Sequence, residues 1–412
     1  MKTRLERIQQ DLENLQQFNA TPEKGLTRFS LTEEDRGARE YLRKELQKLD
    51  LNVYEDPAGS LFGRRAGTED LPAILIGSHF DSVKNGGHFD GPAGVIMALE
   101  IMRTLQDEKI QTRYPIEFVA MIEEEGGRFG SGVFGSRAMA GLVDYELLLK
   151  RRDADGISMA EAFESFGFNP REIEKAKRTK DQVKAFIELH IEQGPVLESR
   201  GSDIGIVEFI VGITQLKVTL KGRPDHAGTT PMDMRADPLV VASQVIARIP
   251  DFPVAEKNGS VSTVGVLEVK PGASNIVPES VTFVVDIRSK DSESIERIVG
   301  KITEALDSAS QGTPVSYETE ILLGVKPVPM EKGIVASFRE NAEALGFSYE
   351  MMLSGAGHDA MIMGLFTDVG LIFVPSRDGR SHCPEEWTDY EDLQKGIEVI
   401  YETILQLGEA IK

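Results

Sequence analysis

PAILIGSHFDSVKNGGHFDGPAGVIMALEIMRTL, residues 72–105, decides the fold class. Its apolar run reaches Ser78 and His79, a Gly-rich loop follows, and the apolar periodicity from about Gly91 predicts a helix. A second buried run, IEFVAMI (116–122), leads straight into the acids Glu123–Glu125. Short apolar strands separated by a helix predict an α/β fold: a mostly parallel sheet with helices on both faces. Such sheets bind ligands at the carboxyl ends of their strands, and His79 and the acidic run occupy that end.

Working outward, Leu5, Ile8, Leu12 and Leu15 share one face of an N-terminal helix. TEEDRGAREYLRKELQKLD (32–50) opens on a capping Thr and three acids, so a second helix is expected there. Between 212 and 324 the order becomes strand, helix, strand, strand, helix, strand, which is the ferredoxin-like split unit. FRENAEALGF (338–347) and DVGLIFVPS (368–376) then resume the helix–strand alternation. The expected organisation is a catalytic domain made of 1–211 and 325–412, carrying an inserted α+β dimerisation or lid domain at 212–324. A chain of 412 residues exceeds the ~250–300 that one core supports, which agrees with two domains.

Forty-six Lys and Arg against sixty-seven Asp and Glu give a net charge of −21, which repels nucleic acid and anionic lipid. Small molecules and cations are the expected partners. The single cysteine, Cys383, excludes an internal disulfide and a cysteine-rich zinc site, and it predicts a reducing, cytoplasmic location. As a lone thiol it is expected to be a small buried residue. No apolar stretch approaches the ~18 residues that a membrane span needs, and the charged N-terminus lacks the apolar centre of a signal peptide.

The six histidines stand at 79, 88, 190, 226, 358 and 382, all in Gly-, Pro- or acid-rich segments. His79, His190 and His382 each accompany acids after an expected strand, which suits metal ligation better than three unrelated structural roles. Asp81 lies two residues beyond His79 and can hold the ring's other N–H. Asp90, at the start of the helix, can bridge two ions with its two oxygens, although alone it would read as a cap. Three successive acids after a buried strand are costly unless cations neutralise them. Glu125 can then ligate while Glu124 moves a proton.

HFD, NGGHFDGPAGV, EEEGGRF, HIEQGPVLE, DHAGTTPM and SGAGHDA, in that order, resemble the dinuclear-metal amidohydrolases related to carboxypeptidase G and aminoacylase. The resemblance spans nearly the whole chain. It is strongest to the carbamoylase branch, which acts on N-carbamoyl-L-amino acids, allantoate and β-ureidopropionate. The resemblance implies two divalent ions per subunit (zinc, manganese or cobalt), one held by His79, Asp90 and His190, the other by Asp90, Glu125 and His382. It makes Glu124 the general base with Asp81 in support. It also implies a homodimer in which His226, Asn275 and Arg288 reach the partner's site to bind a ureido carboxylate substrate. Gln193, Gly355 and Gly357 are further expected substrate contacts; His88 is expected to be structural and His358 to orient its loop.

An aminoacylase or dipeptidase of the same family is the alternative among enzymes. A metal-binding protein without catalysis is the alternative outside them, and a free Glu124 argues against it. GSGVFG (130–135) imitates a dinucleotide fingerprint, but it lies too far from the strand end to form the required turn. Neither a G-x-S-x-G elbow nor an H-E-x-x-H helix is present.

Overall fold

Apolar strands and helices with at least one buried face build the fold. A computed structural model describes residues 1–411. In the helix α1 (Leu5–Leu15), Ile8, Leu12 and Leu15 are buried. Thr32 caps α2 (Glu33–Gln47) by accepting from the Asp35 N–H, as the sequence predicts. The first strands are β1 (Asn52–Glu55), β2 (Leu61–Arg65), the fully buried β3 (Ala73–His79) and β4 (Ile116–Met121). Helix α3 (Pro92–Asp107) joins β3 to β4, with Gly91 at its N-cap. β5 (Val183–Ile191) and β6 (Ile204–Ile210) follow.

The chain then runs through β7 (Gly212–Lys221), α4 (Pro238–Ile246), β8 (Val261–Lys270), β9 (Ser280–Ser289), α5 (Ser292–Ser310) and β10 (Ser316–Val325). It returns with β11 (Asp368–Val374) and α6 (Tyr390–Leu407).

Two compact units result. The larger comprises Met1–Glu208, Met330–Met352 and the chain from His358 onward, and the smaller Phe209–Pro329 with Leu353–Gly357. In the larger unit's sheet, strands follow the order β1-β2-β4-β3-β5-β11-β6. The central β4, β3, β5 and β11 are parallel, and β2 and β6 flank them antiparallel. A parallel centre buried among helices explains the unbroken apolar runs of β3 and β4. The smaller unit's sheet has the order β8-β9-β7-β10, antiparallel throughout. Its first and third strands are central, as in a ferredoxin-like unit, and Val218, Leu220, Phe283 and Val285 pack with Val241, Ile298 and Ile302 of its helices.

The smaller unit is wider than the 212–324 expectation, since its main stretch runs from Phe209 to Pro329. The smaller one also takes in Leu353–Gly357, because the Val211 N–H donates to Ser354 O and the Arg288 guanidinium donates to Gly355 O. Gly355 and Gly357 therefore belong to the smaller unit and His358 to the larger. Sequence order alone does not reveal a five-residue return of this kind.

Candidate metal centre

Both groups of candidate ligands stand where strands end. His79 closes β3, and His190 lies on β5 one residue from its end. Asp90 immediately precedes Gly91, whose φ of +82° lets the chain turn into α3 against the His79 ring. A Cβ at Gly91 would lie 2.4 Å from two of that ring's atoms. Glu124 and Glu125 follow β4, and His382 comes from the loop before α6.

The two oxygens of Asp90 face different ways. Its Oδ1 is 3.0 Å from His190 Nε2 and 3.6 Å from His79 Nε2, whereas its Oδ2 is 3.1 Å from His382 Nε2. His382 Nε2 is also 3.5 Å from Glu125 Oε2, and Glu124 Oε2 is 3.8 Å from His79 Nε2. In each of two groups, His79–Asp90–His190 and Asp90–Glu125–His382, one ligand atom per residue lies within 4.8 Å of the others. Asp90 is the only member shared, one oxygen to each side, which is the arrangement of a bridging carboxylate.

The electrostatics of the cluster set carboxylates against imidazoles. Burial alone would lower the His79 pKa, but Glu124, Asp81 and Asp90 hold it well above its ordinary value. His382 is raised to about 9, first by its hydrogen bond to Asp90. Burial would raise Asp90, and His190, His382 and His79 pull it well below the usual range instead. Burial, reinforced by the neighbouring Asp90 charge, pushes Glu125 up to about 7, and burial pushes Glu124 well above its ordinary value. Glu125 Oε1 is buried with no hydrogen-bond partner among the described residues, an oxygen that a cation would satisfy. One group offers two imidazoles and one carboxylate, the other two carboxylates and one imidazole, and these are donors that divalent zinc, manganese or cobalt takes. The residues fit metal ions.

Asp81 works differently from the sequence expectation. Its carboxylate accepts from the Glu124 and Glu125 N–H groups at 3.0 and 3.2 Å. The nearest oxygen to His79 Nδ1 is the Asp81 main-chain carbonyl at 3.2 Å, with the carboxylate at 3.6 Å. Asp81 therefore fixes the acidic run as well as the His79 ring. Gln193 Nε2 donates to Asp90 Oδ2 at 2.7 Å, so its amide N–H is committed to the centre. His358 is buried with its ring edge-on to His190, 4.5 Å between centroids, while His88 is half-buried near Arg28. Cys383 is half-buried, not enclosed, since its loop lies at the surface.

Two acids that the sequence reading passed over support the centre. Glu188 accepts from Ser78 Oγ at 2.7 Å and from the Ala360 N–H at 3.0 Å, tying β5 to β3 and to the short helix Asp359–Met363 that follows His358. Glu386 accepts from the Phe89 and Asp90 N–H groups and from the Ser381 hydroxyl. An acid within an otherwise apolar strand was a legible signal for Glu188; Glu386 sits in HCPEEW, which reads as a surface turn.

In the smaller unit, Ile276 pairs with His226, and the Ala227 N–H donates to Asn275 O, so His226 and Asn275 are neighbours. His226 Nδ1 accepts from the Gly228 N–H at 3.0 Å, which leaves the ring proton on Nε2. Arg288 Nε is 2.7 Å from Asp286 Oδ1.

Residues 75–406 match the model of Peptidase family M20/M25/M40. The chain belongs to that family. Among family members, it is 46% identical over 400 residues to an N-carbamoyl-L-amino-acid amidohydrolase of Paenarthrobacter aurescens, covering 97% of each chain. It is 34% identical to an allantoate amidohydrolase of Bacillus subtilis, covering 96% of each. A crystal structure of an amidase of the hydantoinase/carbamoylase family from Burkholderia multivorans superposes with a TM-score of 0.90 at 32% identity, over 98% of each chain. This M20 chain is accordingly a metal-dependent amidohydrolase of the carbamoylase type, acting on C–N bonds other than peptide bonds.

Proposed function

We propose that the chain hydrolyses the terminal ureido C–N bond of an N-carbamoyl-L-amino acid, releasing the amino acid, carbon dioxide and ammonia. The division of the Asp90 oxygens between two ligand groups carries the two-ion reading. Similarity over nearly full length to an N-carbamoyl-L-amino-acid amidohydrolase supports the substrate class. Allantoate is the second reading, supported by the relative named for it.

His79, Asp90 and His190 would hold one divalent ion, and Asp90, Glu125 and His382 another. Such ions supply Lewis acidity and make water a better acid at neutral pH. Glu124 takes the proton of the attacking water and returns it to the departing nitrogen. Asp81 holds Glu124 in place through its backbone N–H. His226, with its proton on Nε2, donates to the carbonyl oxygen as that oxygen gains charge. Arg288 and Asn275 bind the substrate carboxylate, Arg with a planar fork suited to two parallel hydrogen bonds. Gln193 turns its amide carbonyl toward the ureido N–H groups. The functional unit is a homodimer in which His226, Asn275 and Arg288 serve the partner's site, in the cytoplasm.

The test is ammonia release from N-carbamoyl-L-methionine, allantoate and N-carbamoyl-β-alanine, with dipeptide cleavage as control, on enzyme stripped by chelator and reloaded with manganese, zinc or cobalt. Metal-dependent turnover of the N-carbamoyl-L-amino acid, lost by at least ~1,000-fold in Glu124→Gln while metal content is kept, is the expected outcome. Cleavage of the dipeptide alone would overturn the reading.

A further inference from the structure

Glu386 is fully enclosed, yet every direction in which its carboxylate can accept is used. Oε1 accepts from the Phe89 N–H at 2.9 Å and the Asp90 N–H at 3.0 Å. Oε2 accepts from the Ser381 hydroxyl at 2.8 Å and the His382 N–H at 3.3 Å. One carboxylate therefore joins two segments almost 300 residues apart, each ending in a residue of the Asp90–Glu125–His382 group.

We infer that Glu386 is a positioning residue that sets the second metal group by locking Asp90 and His382 to each other through their backbones. This rests on the two-ion reading above. Three further observations point the same way. His382 has a φ of +56°, a conformation that a non-glycine residue keeps only when its surroundings over-determine it; its N–H bond to Glu386 is one such constraint. The loop wraps Glu386 so closely that a Cβ at Gly87 would lie 2.2 Å from the carboxyl carbon. The Ser381 hydroxyl is also 3.0 Å from Asp90 Oδ2. Its single proton goes to one of the two carboxylates at a time, so Ser381 couples Glu386 to Asp90 directly. The His79–Asp90–His190 side has its own support in the Asp81 main chain and Glu188, so the effect of losing Glu386 should be unequal.

Glu386→Gln tests this with little change of shape. The new NH₂ faces either the Phe89 and Asp90 N–H groups or the His382 N–H, so donor meets donor on one side. Stripped wild type and variant are titrated with manganese by calorimetry, and bound ion is followed by electron paramagnetic resonance, with circular dichroism checking the fold. Wild type is expected to bind two ions. The variant is expected to keep the tighter one within about threefold and to weaken the other by about 10–100-fold, the usual cost of losing a ligand's supporting partner. Two ions bound as in wild type would overturn the inference, and so would equal weakening of both. If wild type bound no ions, the two-ion reading itself would fail, a distinguishable result. Should Glu386→Gln not fold, Ser381→Ala takes its place: weakening of the second ion by a few-fold supports the tether, and unchanged binding rejects it.

Discussion

Asp90 can address two ligand groups only because the residue after it has no side chain. Gly91 combines a left-handed φ of +82° with contact against His79, so Gly91→Ala both strains the backbone and pushes a methyl into a ligand ring. The expected result is at least ~10-fold weaker metal binding, by titration with manganese, together with a lower unfolding temperature. Wild-type binding in Gly91→Ala would show that the His79 ring can yield without losing its role. Most of this centre was legible in the sequence. His79, Asp90, Glu125, His190 and His382 stand out because acids and imidazoles at strand ends are costly without a purpose. What stayed hidden were the side chains that act through backbone hydrogen bonds. Glu386 in a polar turn leaves no pattern, and Asp81, expected beside His79, gave no sign of its bonds to the Glu124 and Glu125 N–H groups, since N–H partners carry no residue identity.

At the level of elements, the β1–β2 hairpin turns on a buried acid. Asp56 Oδ1 accepts from the Ala58 and Ser60 N–H groups, while Oδ2 is buried without a partner among the described residues. Burial pushes its pKa up to about 7, with Ser60 N–H and Arg178 opposing. A carboxyl raised in the folded state binds its proton more tightly there than in the unfolded chain, where it titrates near ~4. Its contribution to stability is therefore fully present below about pH 4 and is lost as pH rises toward about 7. Asp56→Asn keeps the Oδ1 acceptor and cannot ionise. The unfolding temperature of the variant minus that of wild type should climb between these two pH values and level off above them, whereas a difference flat across that window would refute the shift. The strands themselves were readable because parallel, buried strands are continuous apolar runs. The hairpin was not, because a side chain that closes a turn by accepting two N–H bonds resembles any loop aspartate.

For the whole molecule, the smaller unit poses the remaining physical question. Helices α4 and α5 pack on its sheet, yet both edge strands carry exposed apolar side chains: Val261, Val266 and Leu267 on β8, and Ile321, Leu322 and Leu323 on β10. Long apolar edges invite pairing with another chain unless something covers them. The proposed homodimer supplies that cover. Sedimentation should give twice the mass of one chain, and Leu267→Glu combined with Ile321→Lys should yield a folded monomer. If His226, Asn275 and Arg288 act across the interface, this monomer keeps its metal affinity, because all five ligands lie in the larger unit. Its turnover should still fall by on the order of 100-fold or more, the usual cost of removing a donor to the charged transition state. The pairing of these two readouts separates the possibilities. Loss of metal together with activity would mean that the substitutions damaged the fold, and a monomer with full turnover would place the three residues in their own chain's site.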